Sequence, residues 1–286
     1  MSLTLSSVAM TEFDAEVKHQ YQATPSLRST VTYRGGVVGS TYKFRSMGRG
    51  LAKQKAIQDD VVPMNVSHGL QTVTLANWHA AEYTDIFSQA EVNFDEQREL
   101  AATLAGAIAR REDQIIIDAL DTAASTYTVA SSIGGTNTGL NVDKLRRASR
   151  LLTANGVPES GRHILVNATQ REVLLGTTQA TSSDYASVKA LVQGDIDTFV
   201  GFRFHVVPDQ DEGGLPTNGA NTRAVFCYHE SAIGLAVGLD GALRVTWENI
   251  KTAWLATKVY KAGAVARDGA AASTDIKGIV EITCYE

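Results

Sequence analysis

The stretch from Asn93 to Thr122, NFDEQRELAATLAGAIARREDQIIIDALDT, most constrains what this chain can fold into. Leu100, Leu104, Ile108, Ile115 and Leu120 recur at helical spacing, and Ala101, Ala105 and Ala119 widen the same stripe. That period predicts one long helix with a single apolar side. Asn93 and Glu96 form a capping-box pair, and Asp95, Glu96 and Glu99 put negative charge where the helix dipole favours it. No proline interrupts the run, and its one glycine, Gly106, costs only about 1 kcal/mol relative to alanine. At about 1.5 Å per residue such a helix spans on the order of 40 Å. It is a beam, and its length is the first clue to function.

Composition sets the outer limits. A chain of 286 residues with 44% hydrophobic content buries one large core or two modest ones. The net charge of −5 argues against a dedicated nucleic-acid binder. Cys227 and Cys284 make neither a disulfide framework nor a metal spacing, which fits a reducing compartment. The first residues lack the basic and apolar regions of a secretory signal, and no apolar run is long enough for a spanning helix.

Residues 1–27 read as an arm, with Phe13, Val17 and Tyr21 at helical spacing for two turns before Pro25. Residues 28–69 read as a long β excursion with little core of its own, basic and punctuated by glycine, with no acid before Asp59. Strand-type residues lie at Thr30–Tyr33 and Ser40–Phe44, and an alternating strand runs from Gln71 through Trp78 to Tyr83. The acidic balance then returns along the strand and the long helix. The basic loop and this acidic region are complementary in charge, which leaves three arrangements: the loop folds back on its own helix, it reaches a neighbour's, or both are solvated faces. The residues that would carry such contacts are Arg34, Lys43, Arg45, Arg49, Lys53 and Lys55 on one side. On the other are Glu99, Arg110, Arg111, Glu112 and Asp113.

Beyond a Ser/Thr/Gly connection, Asn141 opens a helix that ends at Asn155-Gly156. Arg162–Val166 reads as a buried strand, Thr169 as the start of a short helix, and Thr198–Val207 as a turn into a strand. Apolar strands follow at Ala224–Cys227 and Ile233–Val237, with a turn at Asp240-Gly241. This alternation predicts a compact α/β module over about 139–245. The tail returns to β structure at Trp254–Tyr260 and Ile279–Cys284, split by a turn at Arg267-Asp268-Gly269.

A search for chemistry finds none. The chain has no dinucleotide fingerprint, phosphate loop, nucleophile elbow or zinc-protease motif. Its six histidines are scattered with no helical pairing, so a metal site would need distant positions brought together. Asp209–Gly213 begins like a calcium loop but places glycine at the fifth ligand position and lacks the closing glutamate. Cys227 and His229 share a strand face, yet Val225-Phe226-Cys227-Tyr228 is an apolar run that makes the thiol a core residue. The expectation is a non-enzyme without cofactor or metal.

The order of elements, together with five stretches, resembles the HK97-type fold of tailed-bacteriophage major capsid proteins. The stretches are TEFDAEVKHQYQ (11–22), VVGSTYKFRSMGRG (37–50), VVPMNVSHGLQTVTLANWHAAEYTDIF (61–87), FDEQRELAATLAGAIARREDQIIIDAL (94–120) and GIVEITC (278–284). The resemblance implies an α+β fold with an N-terminal arm (1–27) and an extended E-loop (28–69). The P domain, with its strand and spine helix, would span 70–138, the A domain 139–245, and 246–286 would return to the P domain. It implies a structural protein that self-assembles, as hexamers and pentamers, into an icosahedral head around double-stranded DNA. The E-loop would lie over a neighbouring subunit. The implied partners are a separate scaffolding protein, a portal, a decoration protein and weak, non-specific contact with packaged DNA, with no membrane. The protein would be made in the host cytoplasm and end in the virion. Some members of the fold cross-link an E-loop lysine to a neighbour's asparagine; Lys43, Lys53 and Lys55 are present, but no matching motif accompanies them.

Two alternatives stand beside this reading. An encapsulin-like compartment shares the fold and differs in cargo. An α/β enzyme with a dispersed site would form a small oligomer and hold a pocket with perturbed ionisable groups.

Overall fold

The computed structural model describes residues 27–86, 96–123, 127–176, 198–209, 212–219, 221–267 and 278–286. The expected arm helix, the Asn93 cap and the turn after Arg267 lie outside these residues.

Two sheets grip one long helix. The helix, α1, spans Glu96–Ala123, 28 residues, or about 42 Å at the usual rise. Ile115, Ile116 and Ile117 are all buried although successive helical side chains point about 100° apart, so this part of α1 is enclosed from several sides. Its core cluster joins Ile108, Ile116 and Leu120 to Leu235 and Tyr260 of one sheet and Phe226 and Ile279 of the other.

The first sheet is built on its longest strand. This is β13 (Ala253–Ala266), which pairs along one edge with β4 (Ala76–Asp85). Its other edge is shared end to end by β11 (Ile233–Asp240) and β12 (Arg244–Glu248), with β1 (Thr32–Arg34) parallel to β11 outside. The strand expected from Thr30 begins only at Thr32. Thr30 hydrogen-bonds through both its amide and its hydroxyl to the Leu27 carbonyl, which curls Arg28–Thr30 into a 3-10 turn.

The second sheet has the order β5-β14-β10-β6-β8-β7, with β9 beside β10. Its strands are β5 (Thr128–Val129), β6 (Arg162–Val166), β7 (Thr198–Phe199), β8 (Phe202–Val206), β9 (Thr217–Gly219), β10 (Thr222–His229) and β14 (Ile279–Tyr285). The two-residue strand period divides its side chains between two cores. On β10, Phe226 and Tyr228 face α1, whereas Val225 and Cys227 face α2 (Val142–Ala154) and α3 (Ala168–Leu175). Helix α2 starts at Asn141, whose side chain accepts from the Lys144 amide, as its sequence predicts. Helix α3 starts one residue earlier than expected because Asn167 caps it, accepting from the Gln170 amide.

The strand pairing cuts across the expected boundary at 245. Strands β10 and β11 are neighbours in sequence but enter different sheets, and β14 pairs with β10 rather than with the sheet around β13. One hairpin stands apart from both sheets: β2 (Thr41–Met47) pairs only with β3 (His68–Thr74). Phe44, Val73 and Leu75 pack its root against Ala236.

Candidate assembly interface

Between the paired ends of the hairpin, residues 48–67 contain no strand or helix. Two legs of roughly ten residues can extend on the order of 30 Å beyond the last strand pair. Every residue from 48 to 65 is exposed. Among them are large apolar side chains: Leu51 is 82% exposed, Ile57 97% and Val61 77%. Side chains of this kind on a projecting loop are costly in water and mark a surface meant to be covered. Sequence reading singled out the loop's charge and overlooked these residues; their signal was apolar residues in a stretch with no periodicity.

Arg34, Lys43, Arg45, Arg49, Lys53 and Lys55 are all exposed and form no ion pair among the described residues. Among the described residues the hairpin thus makes no ion pair with its own α1, the first of the arrangements that charge complementarity left open. It presents cations interleaved with apolar side chains, free to meet another surface.

The residues expected to receive it divide. Glu112 does not point outward: it is 6% exposed and its carboxylate is fully engaged inside the subunit. Arg28 donates to it twice, Nε to Oε1 and Nη2 to Oε2, both at 2.5 Å, and the Tyr260 hydroxyl donates at 2.6 Å. The hydrogen bond to Glu112 raises the Arg28 pKa, and burial raises that of Tyr260. Asp113 accepts from the Leu27 amide at 3.2 Å. Arg111 stacks over Trp78 at 3.7 Å and lies 3.8 Å from Glu212. These three residues hold the root of the N-terminal segment and the first sheet to α1 within the subunit. Arg110 and Glu99 are half-buried on the same helix and also have partners.

A second exposed apolar surface lies where β4, β12 and β13 end together. Trp247 and Trp254 pack edge to face at 5.1 Å, each more than a third exposed, and Ile250 in the adjoining turn is 95% exposed. Lys251 sits 3.9 Å from the centre of the half-exposed Tyr83 ring. Among the described residues β12 is also an edge strand, with backbone groups along one side that no other described strand pairs.

The chemistry-bearing residues are committed elsewhere. Cys227 is fully buried, and burial pushes its thiol well above the usual range; Cys284 is pushed up to about 12. Thiols held protonated are not nucleophiles. His229 turns to Ser231, whose hydroxyl lies 2.8 Å from Nδ1, rather than to Cys227. Folding brings together two of the scattered histidines: His163 Nδ1 lies 3.0 Å from His205 Nε2 across β6 and β8. Burial, then Arg203 and His229, lower His163 to about 4. Among the described residues no group of three or more His, Cys, Asp or Glu side chains could hold a metal. Asp209 and Glu212 of the calcium-like loop pair instead with Arg223 and Arg111. Among the described residues, no helix is long and apolar enough to cross a membrane.

Comparison with known proteins identifies the fold. The match to a chain of the head structure of Helicobacter pylori bacteriophage KHP40 covers 99% of this chain and 98% of that one, at 12% identity and a TM-score of 0.78. The capsid protein of cyanophage P-SCSP1u is covered to 94% by 98% of this chain, at 13% identity and a TM-score of 0.77. The match to Mycobacterium phage Che8 has 15% identity and a TM-score of 0.69, covering 96% of this chain and 97% of that one. At such identities these likenesses speak to fold alone, and the fold is of the HK97 type. No curated protein sequence matches the chain. The family model for phage capsid protein matches residues 5–286. This chain belongs to the phage capsid protein family.

Proposed function

We propose that the chain is a major capsid protein whose copies close into an icosahedral phage head enclosing double-stranded DNA. The projecting hairpin carries this reading: a subunit with exposed Leu51, Ile57 and Val61 beside Arg49, Lys53 and Lys55, which form no ion pair among the described residues, needs a neighbour to cover them. Residues 41–74 act as the E-loop, α1 as the spine helix, the β13 sheet as the P domain and the β10 sheet with α2 and α3 as the A domain. The contact is head to tail, since the hairpin and the surface it meets are different parts of the chain, and such contacts close into rings and shells. Arg34, Lys43, Arg45, Arg49, Lys53 and Lys55 set the register of that contact, with acidic surface on the neighbour. A separate scaffolding protein, a portal and a decoration protein complete the head, which is built in the host cytoplasm.

Negative-stain electron microscopy of the purified protein, alone and co-expressed with a candidate scaffolding protein, tests this. Closed shells are expected. A uniform small oligomer under every condition would contradict the reading, and shells filled with a protein cargo instead of DNA would favour an encapsulin-like compartment.

A further inference from the structure

Helix α2 carries a charge pattern that shell closure leaves unused. Leu145, Ala148 and Leu152 face the second sheet, and Lys144 is drawn inward onto the carbonyl oxygens of Thr138 and Thr283, at 2.6 and 3.1 Å. The outward side is left with Arg146, Arg147 and Arg150, all exposed. Asp143 is the one acid of this helix and lies 3.6 Å from Arg146. Pairs this exposed hold little. Arg147 and Arg150 form no ion pair among the described residues. The three arginines border an open concavity of about 620 Å³ beside Ile133.

The character of the face selects its partner. Protein contacts have an apolar centre, as on the hairpin, where cations alternate with Leu51 and Ile57. No large apolar side chain of α2 is exposed. A face of three guanidinium groups beside a single acid, Asp143, fits a polyanion, because the planar fork matches phosphate in two hydrogen bonds and sheds water readily. A chain of net charge −5 repels a polyanion on average, so a contact needs such a local patch.

We propose that the outward face of α2 contacts the phosphate backbone of nucleic acid enclosed by the shell, with Arg146, Arg147 and Arg150 as the donors. This rests on the capsid reading. The contact reads charge and not sequence.

The test titrates full-length, unassembled subunits against a short random-sequence DNA duplex over a series of salt concentrations. Each phosphate contact contributes about 0.9 to the slope of log affinity against log salt. Replacing all three arginines by glutamine should weaken binding and flatten the slope by about 2 to 3, and Arg147→Gln alone by about 1. Melting curves should not move, and Lys53→Gln with Lys55→Gln should leave the slope intact. No wild-type binding at low salt would overturn the proposal. So would a slope that falls only in the lysine variant, which would place the contact on the hairpin. An unchanged slope in the arginine variant overturns it too: with closed shells the face is merely solvated, and without them it is a subunit contact. If wild-type protein forms no shells at all, the capsid reading itself has failed.

Discussion

The Tyr260 hydroxyl donates to Glu112 at 2.6 Å inside the core between α1 and β13, and this bond fixes the spine helix to the longest strand of the fold. Arg28 closes over the same carboxylate, so the N-terminal segment leaves the subunit from a fixed point on the spine. Glu112→Ala leaves a buried hydroxyl without its acceptor and takes from Arg28 its bidentate partner, leaving it only Asp240 at 3.3 Å. The expected loss is about 2–4 kcal/mol in denaturant unfolding of the unassembled subunit. Tyr260→Phe removes one hydrogen bond and should cost about 1 kcal/mol. Equal, negligible effects would mean that the network does not hold α1 in place.

Charge reversal on the hairpin should separate folding from assembly. Lys53→Glu with Lys55→Glu changes exposed side chains, so unfolding free energy should shift by no more than about 0.5 kcal/mol. Light scattering should nonetheless show assembly slowed or abolished. Ile57→Ser should do the same through lost apolar contact. Normal assembly in both variants would remove the hairpin from the contact.

Stability should decline in mild acid because of His163. Burial favours its neutral form, lowering it to about 4 against an ordinary value of 6.5. Between those values the unfolded chain binds a proton that the folded chain does not, so stability falls as pH drops through this window. The loss approaches roughly 1–3 kcal/mol near pH 4, where it levels off. Denaturant unfolding at several pH values should show it in wild type, and His163→Gln should remove most of that dependence. Identical pH profiles would contradict this assignment.

The crossing of β3 and β13 leaves no room at Gly263. A Cβ there would collide with the Thr74 carbonyl oxygen and crowd Val73 at 2.9 Å. Gly263→Ala should cost about 1–3 kcal/mol by overpacking and speed protease cleavage of the hairpin, which hinges on that crossing. Wild-type stability and cleavage would show that the strands have slack.

Much of this fold is legible in the sequence because local physics writes it there. The period of Leu100, Leu104 and Ile108 marks α1, Asn141 and Gly156 bracket α2, and alternation marks β3. Strand partners are not legible, because β10 and β11 carry the same apolar signal and only tertiary packing sends them to different sheets. The buried Glu112 sits in the run Arg110-Arg111-Glu112-Asp113, which reads as a solvated face. Its clue was position: four residues after Ile108 and three before Ile115, it falls on the apolar stripe itself. The His163–His205 pair joins residues 42 positions apart, a meeting that only the β6–β8 register creates. The hairpin shows in sequence as a basic loop without a core, but its apolar residues gain meaning only from their exposure in the fold.

A cryo-electron microscopy reconstruction of the assembled protein tests the central claim most directly. The account predicts a closed icosahedral shell in which residues 48–67 of each subunit lie against an adjacent subunit, with Leu51, Ile57 and Val61 covered and Lys53 and Lys55 near acidic side chains. A small closed oligomer, or a shell in which that hairpin projects uncovered into solvent, would contradict it.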